Sequence, residues 1–337
     1  MRLLFVSGGS GGHIMPMLAV WQAIQERAPA TEIHFLCTDT PSDAETLSRS
    51  KMSFTVSPVP RRSLLLPLGL LRAFAVARRV LHDFRPDVVF SKGGAVSIPV
   101  CFLAHLRGIP IVLHESDAVM GRANRIVARW AKVILTGENP IRKEVLHGNR
   151  TQGLKITGFS GTRKVLLVIG GSQGAEALNR AVRNSIKELT SFCDVIHITG
   201  KGKTGADMQK GYWSTEFAMT ELPHLYAIAD IALSRAGAGS ISELAAWGIP
   251  MILVPIRGLA QDHQMVNAIR TEENGACTIL LQEDLNQKLV GLVKQFVTDE
   301  AKRSQMSAAS RALHHQGAAL RIAESIFQCV ARRAETH

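Results

Sequence analysis

One pattern occurs twice in this chain, at an offset of 162 residues. Leu3 to Ser7 runs into Gly8-Gly9-Ser10-Gly11-Gly12-His13, and Val165 to Ile169 runs into Gly170-Gly171-Ser172-Gln173-Gly174-Ala175. Each copy is an apolar run the length of one buried strand, then a glycine turn, then the start of a helical pattern. A strand that feeds a helix this way belongs to a parallel sheet, because a parallel neighbour is reached only through a crossover.

The rest of the chain follows the same plan. LLFVS, EIHFLC, SFTVSPV, DVVFS, IPIVLHE and KVILTG are separated by helical patterns, the first from about Pro16 to Glu26, and KVLLVIGG, CDVIHITG, IADIALSRAG and PMILVP follow. Near-continuous apolar strands alternating with helices mean an α/β sheet covered on both faces. The duplication makes two doubly wound, Rossmann-like domains the economical reading. Turn formers without a long apolar run place the boundary near Gly158, giving domains 1–158 and 159–316. Segment 317–337, with Leu320, Ile322, Ile326 and Val330 at helical spacing, is expected to pack back on the N-terminal domain.

With 46% hydrophobic and 20% charged residues over 337, the chain is neither disordered, collagenous nor a coiled coil. Cys37, Cys101, Cys193, Cys277 and Cys329 are odd in number and far apart, which fits buried thiols of a reduced cytosolic protein better than a disulfide framework or a metal site. No secretory signal is read at the start, where Arg2 precedes only Leu3 to Val6 before glycines begin. Of the net charge of +11, residues 1–158 carry +9, so the basic partner surface is expected on the N-terminal half. The longest apolar stretch, Leu64 to Ala77, is broken by Pro67, Gly69 and Arg72 and is too short to span a bilayer. Its leucines (Leu64, Leu65, Leu66, Leu68, Leu70, Leu71) mixed with Arg61, Arg62 and Arg72, and followed by Arg78 and Arg79, suit contact with an anionic membrane surface, the alternative being a buried helix with snorkelling arginines.

Glycine turns that open helices let backbone N–H groups approach a phosphate. His13 directly follows the first turn and is a candidate base. The cluster Ser234 to Glu243 follows an apolar strand, and its small residues permit close backbone approach, while Glu243 could accept two ribose hydroxyls. His263 and Gln264 offer amide and imidazole groups suited to sugar hydroxyls. Lys92-Gly93-Gly94 and His114-Glu115-Ser116-Asp117 end two apolar strands at the same sheet edge as the first turn, and His114, Glu115 and Asp117 join His13 as candidate bases. No GxxxxGK[ST] loop and no GxSxG elbow is present, which disfavours a P-loop NTPase and acyl hydrolysis. Nucleic-acid binding is disfavoured because basic residues are not interleaved with aromatics, which total 5%. Asp39 keeps a nicotinamide-dinucleotide oxidoreductase open, although the fingerprint is incomplete.

In this order, GGSGGH (8–13), KGGAVSIP (92–99), HESD (114–117) with GRANR (121–125), GENPIR (137–142), GGSQGA (170–175), SRAGAGSISE (234–243) and DHQMVNA (262–268) resemble the MurG family of peptidoglycan N-acetylglucosaminyltransferases over nearly the whole chain. The resemblance implies the GT-B architecture, two Rossmann-like domains facing across a cleft, with the acceptor on the N-terminal domain and UDP-N-acetylglucosamine mainly on the C-terminal one. It implies an inverting transfer to the C4 hydroxyl of undecaprenyl-diphospho-N-acetylmuramyl pentapeptide (lipid I) to give lipid II, without metal or cofactor, by a peripheral protein on the cytoplasmic face of the cell membrane. Other cell-wall synthesis proteins are possible partners.

By motif, Ser10, Gly11 and Gly12 would face the diphosphates and His13 would be a candidate base, while Asp117 would contact the sugar or the attacking hydroxyl. Arg142 and Ser172 would bind donor phosphates, and Phe217, Ala218 and Met219 would flank uracil. Ala238, Gly239, Ser240, Ile241 and Ser242 would wrap the diphosphate and Glu243 would hold the ribose, while Gln264, helped by His263, would read the N-acetylglucosamine hydroxyls. Ala95 and Met120 depart from the family's frequent aromatic and proline, which bears on the acceptor pocket. A sister glycolipid synthase acting on diacylglycerol and a non-catalytic binding module are the remaining alternatives.

Overall fold

The apolar runs form two six-stranded, all-parallel sheets. A computed structural model describes residues 1–8, 11–58, 66–137, 139–171, 174–203, 205–207, 209–258 and 262–334, with the backbone course alone at 11–13, 41–42, 66–68 and 333–334. In the first sheet, β1 (Arg2–Ser7), β2 (Glu32–Thr38), β3 (Phe54–Ser57), β4 (Val88–Gly93), β5 (Ile111–Glu115) and β6 (Val133–Thr136) lie in the order β3-β2-β1-β4-β5-β6. In the second, β7 (Val165–Ile169), β8 (Asp194–Ile198), β9 (Tyr212–Thr215), β10 (Ile231–Ser234), β11 (Met251–Leu253) and β12 (Cys277–Ile279) lie in the order β12-β11-β10-β7-β8-β9. The two orders are the same. In each, the chain walks outward from its first strand, returns, and sets its fourth strand on the first strand's other side.

The central strands are apolar throughout because both faces are covered; Leu3, Leu4, Phe5 and Val6 of β1 are all buried. On one face of the first sheet lie α1 (Gly11–Arg27) and α13 (Ala318–Ala334), and on the other α3 (Leu66–Phe84), α4 (Ser97–Leu106) and α5 (Arg122–Val127). The second sheet is covered on one face by α7 (Glu176–Phe192) and α11 (Leu285–Thr298). The remaining helices are α2 (Pro41–Arg49), α6 (Arg150–Thr157), α8 (Leu222–Tyr226), α9 (Ala238–Trp247), α10 (His263–Glu273) and α12 (Glu300–Leu313).

Three features differ from the sequence reading. β9 and β12 were not expected, being four- and three-residue edge strands without a long apolar run. The first helix starts at Gly11, directly after its glycine turn, so that Pro16 lies within it. The chain divides into unit 1, Met1–Arg142 with Gly317–His337, and unit 2, Lys143–Gln316, so the boundary falls before Gly158. Segment 143–157 belongs to unit 2 because it is tied to α8 and α9: Trp247 Nε1 donates to the Val145 carbonyl at 2.9 Å and the Asn149 N–H donates to His224 Nδ1 at 2.9 Å.

In α13, Ile322, Ala323, Ile326 and Cys329 form one stripe that enters the core of unit 1 with Ile14, Met17 and Leu18 of α1. Ile326 is fully buried there. Ile326→Ala should lower the unfolding free energy by about 2–5 kcal/mol, measured by chemical denaturation of the full chain. A loss below about 0.5 kcal/mol, the size of a surface change, would show that the helix lends that core nothing.

Candidate functional site

Where strand order reverses, two loops at the C-terminal edge of a parallel sheet diverge to opposite faces and leave a crevice between them. In unit 1 these loops follow β1 and β4; in unit 2 they follow β7 and β10. The described residues of the motifs singled out above, apart from the α3 region, lie on or beside the carboxyl edges of the two sheets.

In unit 1, the turn after β4 closes on the turn after β1. Gly94 has φ +87°, and a side chain there would run into the Gly8 carbonyl, so only glycine lets the two turns meet. Gly11, Gly12 and His13 form the first turn of α1, whose unpaired N–H groups face the edge; Ser10 and the side chain of His13 lie outside the described residues.

Beside them stand the ends of β4 and β5. Glu115 is buried and its carboxylate is committed: Oε1 accepts from the Asp117 N–H at 3.0 Å, and Oε2 accepts from the Gly121 N–H at 3.1 Å and from Asn124 Nδ2 at 2.8 Å. These bonds shape the 116–121 loop and the start of α5, a structural task. Asp117 is half-buried on that loop. Lys92, read in the sequence only as the end of a strand, is 4% exposed. Its Nζ lies 3.2 Å from His114 Nδ1 and donates to Ser116 Oγ at 2.8 Å. Burial lowers its pKa to about 8, against the opposing pull of Glu115 and Asp117. Arg142 is half-buried at the end of the first unit, with its Nε lacking a hydrogen-bond partner among the described residues.

In unit 2, α9 begins after Gly237, so Ala238, Gly239 and Ser240 present the open N–H groups of its first turn, and Ile241, Ser242 and Glu243 follow. An N-terminus of this kind carries partial positive charge and suits an anion. Glu243 is the sixth helical residue, beyond the first turn, so offsetting the helix dipole does not account for it. Its Oε2 accepts from the hydroxyl of the buried Tyr226 at 2.7 Å. Tyr226, at the end of α8, was missed in the sequence; the aromatic just before IADIAL was its only signal.

α10 starts at His263 and Gln264, both half-buried. Gln264 Oε1 accepts from the Ile256 N–H at 3.2 Å, and Asn267 Nδ2 donates to the Ala236 carbonyl at 3.1 Å, tying α10 to the loop before α9. Arg235 in that loop is buried, donates to the Val254 carbonyl at 3.0 Å and to Gln282 Oε1 at 2.7 Å, and burial lowers its pKa to about 10. Phe217, Ala218 and Met219 lie between β9 and α8; Phe217 is 41% exposed, and Ala218 is buried. Ser172 lies outside the described residues.

Beside the second glycine turn a neutral network ties down Thr199 and Ala206. Gly174 has φ +66°, and a side chain there would meet the Thr199 carbonyl. Asn179 Nδ2 donates to that carbonyl at 2.8 Å, leaving Asn179 Oδ1 to accept from His197 Nε2 at 3.0 Å. Tyr212 then donates to His197 Nδ1 at 3.0 Å, and its oxygen accepts from the Ala206 N–H at 2.8 Å. Burial, followed by the charge of Arg183 and against the pull of Glu176, lowers the His197 pKa to about 4.

The glycosyltransferase family 28 N-terminal domain matches residues 3–136, and the glycosyltransferase family 28 C-terminal domain matches residues 165–322. A protein of Clostridium kluyveri named UDP-N-acetylglucosamine--N-acetylmuramyl-(pentapeptide) pyrophosphoryl-undecaprenol N-acetylglucosamine transferase is 35% identical over 315 residues, covering 86% of this chain and 89% of the relative. One of the same name from Lachnoclostridium phytofermentans is 35% identical over 328 residues, 89% of this chain and 92% of that one. The crystal structure of Acinetobacter baumannii MurG superposes with a TM-score of 0.73 at 25% identity, covering 97% of this chain and 99% of the other.

The folded His197 ring gains a proton only near pH 4, whereas an unfolded imidazole does so near 6.5. The network's stability is therefore complete above pH 6.5 and falls as pH drops towards 4, by up to about 3 kcal/mol. The stability difference between wild type and His197→Gln, measured by denaturant titration, should shrink over that range. A difference that stays constant would contradict this role.

Proposed function

The chain belongs to glycosyltransferase family 28, and from that premise we propose that it transfers N-acetylglucosamine from UDP-N-acetylglucosamine to lipid I, forming lipid II for peptidoglycan. It is a UDP-sugar-dependent glycosyltransferase. The observation that carries the reading is the correspondence, over 86% of the chain at 35% identity, with a relative named for this reaction. Family membership sets aside the oxidoreductase alternative.

The donor is assigned to unit 2. The α9 N-terminus receives the diphosphate, Glu243 takes the ribose hydroxyls while Tyr226 holds its other face, and Phe217, Ala218 and Met219 flank the uracil. His263 and Gln264 read the sugar. Arg142, whose Nε lacks a hydrogen-bond partner among the described residues, is a candidate cation for a phosphate. The acceptor C4 oxygen attacks the anomeric carbon from the face opposite the diphosphate, the bond from that carbon to the phosphate oxygen breaks, and UDP leaves with inverted configuration in the product. Negative charge grows on the leaving diphosphate, where fixed N–H dipoles and a guanidinium lower the barrier most. The hydroxyl proton goes to a base of unit 1. Glu115 is spent on its loop, which leaves Asp117 and His13 as the candidate bases.

Among the described residues no helix is long and apolar enough to cross a membrane. α3 buries Ala73, Ala77, Val80 and Leu81 and exposes Leu70, Leu71, Arg72, Arg78 and Arg79, with Leu71 67% exposed. We assign this face to the anionic surface of the bilayer that holds the acceptor's lipid, on the cytoplasmic side, where its five free, buried cysteines stay reduced. Arg61, Arg62, Leu64 and Leu65, and the side chains of Leu66 and Leu68, lie outside the described residues.

UDP release from UDP-N-acetylglucosamine should depend on a short-chain lipid I analogue and yield a disaccharide; donor binding without product would remove the acceptor or the catalysis. Glu243→Ala should lower kcat/KM for the donor about tenfold or more, since each charge-assisted hydrogen bond contributes about 1.5–3 kcal/mol. An unchanged value in the folded variant removes Glu243 from the site. Neutralising Arg72, Arg78 and Arg79 should weaken binding to anionic vesicles about 100-fold, at about 1 kcal/mol per cation. Unaltered partitioning would defeat the membrane assignment.

A further inference from the structure

An ammonium ion below the surface is costly unless its hydrogens are used and opposite charge lies near. Lys92 meets both conditions at the end of β4. Its Nζ reaches His114 Nδ1 on β5 at 3.2 Å and Ser116 Oγ at 2.8 Å, with the carboxylates of Glu115 and Asp117 on the same segment. An ammonium can only donate, so His114 Nδ1 accepts and the ring proton sits on Nε2. Glu115 grips the same loop from its far side, through the N–H groups of Asp117 and Gly121. The segment that carries Asp117 is thus held at Ser116 by Lys92 and at its own backbone by Glu115.

We propose that Lys92 is a positioning residue for the acceptor half of the reaction: its ammonium fixes His114 as the Nε2–H tautomer and clamps the loop that presents Asp117. The catalytic consequence rests on the transferase reading above; the clamp itself does not. Lys92 is 4% exposed, with its Nζ turned to His114 of β5 and Ser116 of the 116–121 loop, so it is assigned a positioning role and not a substrate contact. Among the described residues, the charged and titratable groups that interact with it are His114 and Glu115 of β5 and Asp117 of the loop. β1 presents Val6 and Ser7 at this level, and α5 presents Asn124, all uncharged. Its pKa of about 8 means that the clamp loosens in mildly alkaline solution, when the amine no longer carries the proton that balances the two carboxylates.

The test uses the full chain with ¹⁵N-labelled histidine, the His114 signals being identified by their loss in His114→Gln, together with kcat, KM and UDP-N-acetylglucosamine binding across pH. Wild type should show an Nε2–H pattern at neutral pH that changes as pH passes about 8, and kcat should fall over the same range. In Lys92→Met the His114 pattern should become mixed, kcat with the lipid I analogue should drop about tenfold or more, and the alkaline fall should vanish, while donor affinity stays within about twofold. A purely structural lesion would lower donor binding and kcat together and leave the alkaline fall in place. Wild-type His114 signals in Lys92→Met with kcat within about twofold overturn the proposal. If Lys92→Met does not fold, Ser116→Ala and the wild-type pH series decide: His114 signals unmoved across pH 8 overturn the clamp. Should wild type show no acceptor-dependent transfer, the transferase reading fails, and the tautomer measurement alone still decides whether Lys92 holds the loop.

Discussion

The parallel ladder between the first and fourth strands of each sheet is the constraint on which the rest depends. β1 pairs with β2 on one side and β4 on the other, and β7 likewise with β8 and β10. Once the chain has walked outward and returned, the loops leaving these paired strands must part, and the sheet's carboxyl edge opens between them. Helix N-termini then point their unpaired N–H groups at that opening without further design. Two such openings in one chain suit a reaction that joins two large partners, one carrying a diphosphate that must leave.

Buried polar groups around these openings do positioning work of different kinds. Glu115 and Lys92 spend their hydrogen-bonding capacity on a single loop in unit 1. In unit 2, His197, Asn179 and Tyr212 hold Thr199 and Ala206 through neutral groups, and Tyr226 donates to Glu243. In each case buried groups fix the position of less buried neighbours, an arrangement that suits a preorganised site.

The sheets were legible in the sequence because parallel strands are apolar on both faces and glycine marks the turns that leave them. The edge strands β9 and β12 escaped, since a strand open on one side needs no continuous apolar run. The boundary at Gly158 failed because the attachment of segment 143–157 is made through Trp247 and His224, 102 and 75 residues downstream of their partners, and local composition carries no trace of such contacts. Site residues fared by the same logic. Glu243 and the start of α9 followed from a strand, a small-residue turn and a helix. The engagement of Glu115 by Asn124, the burial of Lys92 and the hold of Tyr226 on Glu243 are tertiary facts, visible only once β4 and β5, or α8 and α9, lie side by side.

The central claim is a division of labour: donor at the opening of unit 2, acceptor at that of unit 1. Amide hydrogen exchange of the full chain, read with UDP-N-acetylglucosamine alone and then with a lipid I analogue added, tests it most directly. The donor should protect the 236–243 and 217–219 segments and leave 92–94 and 114–121 unchanged, with protection of the latter appearing only when the acceptor is present. Donor-induced protection confined to the loops after β1, β4 and β5 would contradict the assignment.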